Sequence, residues 1–178
     1  MNITVYLGAN IGKDISLKEN AEKLGSWIGE NDHTLVYGGS KSGLMGVLAS
    51  SVLKHSGKVI GVEPKFFVDE GFVYDKIDEL IITDDIASRR KKMIELGDCF
   101  IAFPGGTGTL EEISEVMSMV ALKHSSAPCI IFNLNGYYDD LKRLLDKMVS
   151  MELSSYDRLS GIFFANSLEE IYEIISRY

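Results

Sequence analysis

CFIAFPGGTGTLEE, residues 99–112, passes from five apolar residues through a proline and a glycine-rich turn into a helix-like run. The apolar part shows no polar alternation, which is expected of a strand covered on both faces of a parallel sheet. After the turn, Leu110, Ile113, Met117 and Val120 recur at helical spacing, and Val116 and Met119 form a second apolar row. Strand, glycine turn and helix in that order make one βα unit. Ligands of open α/β sheets bind at such turns, outside the carboxyl ends of the strands.

Working outward, the same unit recurs along the chain. Strand-like runs are ITVYLG near 3–8, HTLVYG near 33–38, KVIGVE near 58–63, ELIIT near 79–83, PCIIF at 128–132 and IFFA at 162–165, with helical patterns between them. The first helix is expected to open with Ser16 and Glu19 at capping-box spacing, carrying Leu17, Ala21, Leu24 and Ile28 inward. The last is expected to open the same way, with Ser167 and Glu170. The alternation predicts an α/β fold, an open parallel sheet of about seven strands with helices on both faces. One domain over residues 1–178 accounts for the whole chain, because nothing in it reads as a linker or a repeat.

The composition narrows the function. A formal charge of −8 argues against wrapping a nucleic acid, whose affinity comes from clustered Lys and Arg. No apolar run approaches the roughly 20 residues of a membrane span, and the N-terminus enters strand-like sequence without a basic leader, so a cytoplasmic protein is expected. Cys99 and Cys129 sit in apolar runs and read as buried thiols rather than as metal ligands or a disulfide.

Three strand ends carry glycines: LGAN at 7–10, YGGSKSGLMG at 37–46 and PGGTGTLEE at 104–112. Glycines let backbone N–H groups approach an anion, and a following helix N-terminus adds a favourable dipole. Neither longer turn fits a P-loop or a dinucleotide fingerprint. Thr109-Leu110-Glu111-Glu112 has the spacing of a capping box, with the helix starting at Thr109. Glu112 nevertheless heads a largely apolar face, where a carboxylate is costly unless it is paired or bound to a ligand, so a functional role outweighs capping. In IASRRKKMIELG, 86–97, an inward stripe of Ile86, Met93 and Gly97 carries Arg89 and Arg90 at apolar places, and at least one arginine is expected to reach the site.

Together these residues resemble the Lonely Guy family of cytokinin riboside 5′-monophosphate phosphoribohydrolases. The family pattern Pro-Gly-Gly-x-Gly-Thr-x-x-Glu is matched in full by residues 104–112, YGGSKSGLMG matches the earlier glycine feature, and Arg89-Arg90 stands at the family's Arg-Lys pair. The resemblance runs from about residue 3 to 150 and includes Pro64-Lys65 and NLNGYYDDL at 133–141. It implies a Rossmann-like fold, a homodimer with pockets near the subunit interface, and hydrolysis of the N-glycosidic bond of a nucleoside monophosphate without cofactor or metal. It implies Arg89 and Glu112 as the catalytic residues. For substrate binding it implies Gly105, Gly106, Thr107, Gly108, Thr109, Leu110 and Glu111 in the main turn, Gly39, Ser40 and Met45 in the earlier one, with Arg90 and Ser118 beside them.

Three departures bear on the base. Ser40 stands where a third glycine is common, LGAN replaces Cys-Gly-Ser-Ser, and Ser118-Met119-Val120-Ala121 replaces Thr-Trp-x-Gln. The last of these removes an aromatic ring and an amide and predicts weak discrimination among bases, with AMP and N6-substituted AMP both hydrolysed. A lysine decarboxylase, a label given to such chains, would need a Schiff-base lysine for pyridoxal phosphate, and no lysine here stands in a motif for it. The remaining alternative is a nucleotide or phosphorylated-cofactor carrier built on the same cradle without turnover.

Overall fold

The computed structural model describes residues 1–178. Its elements are β1 (Asn2–Tyr6), α1 (Ile15–Glu30), β2 (Thr34–Tyr37), α2 (Gly43–Lys54), β3 (Lys58–Pro64), α3 (Lys65–Asp69), β4 (Glu79–Thr83) and α4 (Ile86–Leu96). Then follow β5 (Cys99–Ala102), α5 (Thr107–Ala121), β6 (Cys129–Phe132), a 3₁₀ turn (Leu134–Gly136), α6 (Asp139–Ser150), α7 (Tyr156–Leu159), β7 (Ile162–Ala165) and α8 (Leu168–Ile175). All seven strands join one parallel sheet in the order β4-β3-β2-β1-β5-β6-β7.

Every apolar run of the sequence forms a strand, because continuous Val, Ile, Leu and Phe can be buried on both sides only in such a sheet. Alternate residues feed two cores. Val5, Leu35, Ile101 and Ile130 meet Ala21, Leu24, Leu48 and Ile171 of α1, α2 and α8 on one face. Tyr6, Val36, Ala102 and Ile131 meet Met93, Ile113, Val116 and Leu145 of α4, α5 and α6 on the other. Truncating one such fully buried side chain, as in Ile113→Ala, costs about 2–5 kcal/mol. Cys99 and Cys129 are buried, free thiols of these cores. No helix is long and apolar enough to cross a membrane.

The helix starts differ in part from expectation. Asp14, not Ser16, caps α1: its carboxylate accepts from Ser16 N at 2.9 Å. An Asp two residues upstream of Ser16 offers a better acceptor to the free amides of the first turn. Ser167 does cap α8, taking Glu170 N at 3.3 Å, while the Glu170 carboxylate takes Asn166 N at 2.7 Å, one residue ahead of its usual capping-box partner. Helix α5 begins at Thr107 with Gly106 at its cap, two residues earlier than Thr109, so the capping reading of Thr109 and Glu112 does not hold.

Strand order reverses at β1, which has β2 on one side and β5 on the other. The turns after these three neighbouring strands are the three glycine turns. They stand together at the crevice where open α/β sheets bind ligands.

Candidate active site

The glycines of the edge have separable causes. Gly39 has φ +83°, and a Cβ there would press on the Glu63 side chain at 3.2 Å. A Cβ on Gly38 would strike the Arg89 guanidinium and lie 2.8 Å from Met45 Sδ, so Gly38 makes the room that Arg89 occupies. Gly105 is packed by the Thr109 side chain. Gly106 and Gly108 differ: a Cβ on either would meet nothing within 4 Å, and neither has a positive φ. Neither packing nor backbone conformation requires glycine at these two positions, which leaves the amides bare toward solvent.

No side chain caps α5. The first amides of a helix have no partner inside it, and the helix dipole adds positive character there. A cavity of about 520 Å³ opens beside this end, lined by Gly8, Asn10, Lys13, Gly105, Gly106 and Tyr137 among others. Its wall is braced: Tyr137 Oη donates to the Gly105 carbonyl at 2.5 Å, and Asn135 Nδ2 donates to Asp14 Oδ2 at 3.0 Å and Ser16 Oγ at 3.2 Å. A second cavity of about 510 Å³ lies on the other flank of Gly105–Thr107, bounded by Leu110, Tyr138, Leu141 and Leu144.

The charged centre lies behind the turn and lines neither cavity. Asp85 caps α4 by accepting Ser88 N at 2.7 Å, and one turn beyond the cap Arg89 enters the sheet edge, with Met93 buried a turn further on. Arg89 Nη1 donates to Glu112 Oε1 at 2.6 Å and Nε donates to the Val62 carbonyl at 2.9 Å. Glu63 Oε2 stands 3.8 Å from Nε. The side chains of Arg89, Glu112 and Glu63 are 15%, 10% and 5% exposed, so one guanidinium serves two buried carboxylates.

Two ionised carboxylates against one guanidinium would leave a net negative charge out of water. The cheaper state ionises one and protonates the other. Glu112 makes the direct bond; burial pushes it above the usual carboxylate range, and Arg89 opposes that by charge and hydrogen bond. Glu63 is pushed up to about 7, by burial first, with Arg89 opposing and Glu112 reinforcing. Tyr6 and Tyr37 hydroxyls are buried without a hydrogen-bond partner. Burial raises both phenols further out of titration, assisted by Glu112 for Tyr6 and by Glu63 for Tyr37.

The structure brings together Arg89, Glu112, Gly39 and Met45 on the β2 side and Gly105 to Thr109 on the β5 side. Ser40 is buried, and its Oγ accepts Ser42 N at 3.1 Å. Arg90 turns outward, to Glu111 at 2.8 Å and Glu115 at 2.9 Å, so only one of the two arginines reaches the centre. Leu110 is exposed beside the second cavity rather than packed with Ile113. Ser118 is exposed a turn and a half along α5 from Glu112, and its hydroxyl donates to the Ser114 carbonyl at 2.9 Å. Sequence reasoning missed Glu63, Asn135 and Tyr137. For Glu63 a signal was present, a carboxylate ending the apolar run VIGVE, the same anomaly that marked Glu112.

The family model described as "Possible lysine decarboxylase" matches residues 45–175. A cytokinin riboside 5′-monophosphate phosphoribohydrolase of Rhodococcoides fascians is 40% identical over 79% of this chain and 71% of its own length. One of that name from Arabidopsis thaliana is 39% identical over 99% of this chain and 81% of its own. Among solved structures, a molybdenum cofactor binding protein from Rippkaea orientalis superposes with TM-score 0.74 at 24% identity, covering 99% of this chain and 95% of its own. The molybdenum cofactor carrier protein of Chlamydomonas reinhardtii superposes with TM-score 0.75 at 17% identity, covering 99% and 96%. At these identities the two structures share the fold.

Proposed function

The chain belongs to the Lonely Guy family of cytokinin riboside 5′-monophosphate phosphoribohydrolases, and we propose that it hydrolyses the N-glycosidic bond of a purine nucleoside 5′-monophosphate, releasing free base and ribose 5-phosphate. The observation that carries this reading is the buried Arg89–Glu112 bridge at 2.6 Å, one turn inside the open N-terminus of α5. The bare amides around Gly106 and Gly108 receive the 5′-phosphate, and Arg89 and Glu112 address the ribose.

As the bond from C1′ to the base nitrogen breaks, its electron pair leaves with the base and positive charge builds on the sugar. An ionised Glu112 stabilises that charge and positions a water whose oxygen bonds to C1′. One proton of the water passes to the departing base, so atoms and charge balance. Arg89 holds Glu112 in one orientation and keeps it ionised. Carriage of a nucleotide without turnover needs the bare amides but not this buried bridge. The decarboxylase description is not followed, because none of the lysines is buried and a Schiff-base lysine works desolvated.

The exposed apolar residues Leu110, Leu122, Leu144, Met151 and Leu153 flank α5 and α6, more than a monomer in water needs there. A homodimer that covers this face places the α5 segment near Ser118 beside the partner's pocket, where the lost aromatic ring and amide relax base selection. AMP and N6-substituted AMP are then hydrolysed within about 100-fold of one another, since a few apolar contacts are worth roughly 1–3 kcal/mol.

The test is chromatography of products after incubation with AMP, isopentenyl-AMP, GMP and adenosine, with light scattering for the dimer. Free base from the monophosphates and little from adenosine support the reading. A bound nucleotide recovered intact after hours sinks it in favour of a carrier.

A further inference from the structure

Glu63 is a buried acid that the mechanism above does not use. It is the penultimate residue of β3, ahead of Pro64, its side chain is 5% exposed, and its carboxyl sits 3.8 Å from Arg89 Nε without a hydrogen bond from it. The Nε hydrogen goes to the Val62 carbonyl instead, at 2.9 Å. The Glu63 side chain is held against Gly39, whose φ of +83° and missing Cβ leave it the space. Isolated buried acids are expensive. This one is built into the wall of the catalytic centre.

We propose that Glu63 is a positioning residue that competes with Glu112 for Arg89, so that its ionisation weakens the catalytic bridge and lowers activity as pH rises through neutrality. The inference rests on the reading of Arg89 and Glu112 as the hydrolytic pair. The groups facing Glu63 are Arg89 from α4, Glu112 from α5 and Tyr37 from β2, with Tyr74 beyond Tyr37. Burial raises the Tyr37 phenol far above neutrality, and burial pushes the Glu63 carboxyl up to about 7. While Glu63 is neutral, Arg89 belongs to Glu112 alone. Once Glu63 is ionised, the guanidinium is shared and the added negative charge opposes the arriving phosphate.

The test is kcat/KM for AMP from pH 6 to 9 in the wild type, Glu63→Gln and Glu63→Asp. All three meet the same substrate, so the phosphate's own ionisation near pH 6 cancels in the ratios. The wild-type value is expected to fall about three- to tenfold more than that of Glu63→Gln over this range, the scale of one added charge in a partly screened site. Glu63→Asp, which keeps the charge, retains the fall. Parallel profiles for the wild type and Glu63→Gln, whatever their absolute rates, overturn the proposal, and so does a flat Asp profile.

A substrate-free readout stands beside it. The folded carboxyl, near 7, lies above its ordinary 4.5, so its contribution to stability is present at low pH and is lost as pH rises through that window. The wild-type Tm is therefore expected to fall relative to Glu63→Gln across the window and to run parallel above it. A constant Tm difference contradicts the titration on which the proposal depends. If the wild type releases no base from any monophosphate, the functional reading fails separately, and the Tm series still decides whether Glu63 titrates against Arg89.

Discussion

Arg89 and Arg90 are neighbours on one helix, and both tie α4 to α5, yet they occupy different physical worlds. Arg90 spans exposed Glu111 and Glu115, whose side chains are 57% and 42% exposed. Arg89 meets Glu112 and Glu63 where almost no water reaches. An exposed bridge is worth about 0–1 kcal/mol, because water solvates both partners nearly as well apart. A buried one is paid for in desolvation and is a poor way to hold a fold together. The outer pairs dock two helices; the inner set holds a charged carboxylate in a defined place, which is what a hydrolase needs.

The comparison breaks most visibly at Arg89. Arg89→Ala leaves two buried carboxylates uncompensated and is expected to lose about 3–5 kcal/mol of stability at pH 8. Part of that loss returns at pH 5, where the carboxyls, both raised by burial, take up protons. Urea unfolding at the two pH values measures it, and equal losses at both would contradict the buried-charge account. Activity should fall by about 100-fold or more in conditions where the variant remains folded.

Gly106→Val separates the site from the fold. A side chain there meets nothing within 4 Å, so the Tm should move little, while KM for AMP should rise by about tenfold or more as the side chain blocks the approach to the amides. An unchanged KM would remove the phosphate from this turn. The smallest effect is expected from Arg90→Ala: within about 1 kcal/mol of wild-type stability, and a weak salt dependence that disappears with the exposed bridges. A loss as large as that of Arg89→Ala would erase the distinction between the two arginines.

The seven strands were legible because two-sided burial leaves a plain mark, an apolar run without alternation. The βα turns followed from their glycines. Glu112 could be read from the sequence because it interrupts an apolar helix face. Which arginine turns inward could not be read, since adjacent residues lie about 100° apart and either fits the stripe until α4 is docked on the sheet. The start of α5 was misplaced because Thr109 mimics a cap, whereas Gly106 is the extended cap residue and Thr107 and Gly108 are already helical. Glu63 was passed over as the end of a strand; its meaning depends on Arg89, 26 residues away and visible only in space. The Asn135 and Tyr137 braces likewise join loops distant in sequence.

The central claim is that the buried Glu112 carboxylate, aligned by Arg89, drives cleavage of a nucleoside monophosphate. The direct measurement is the rate of adenine and ribose 5-phosphate release from AMP by the wild type and by Glu112→Gln, which keeps the shape and removes the charge. Equimolar adenine and ribose 5-phosphate from the wild type, with a rate about 100-fold or more lower in the variant, is the predicted result. Release at a comparable rate by Glu112→Gln, or none by the wild type, would contradict it.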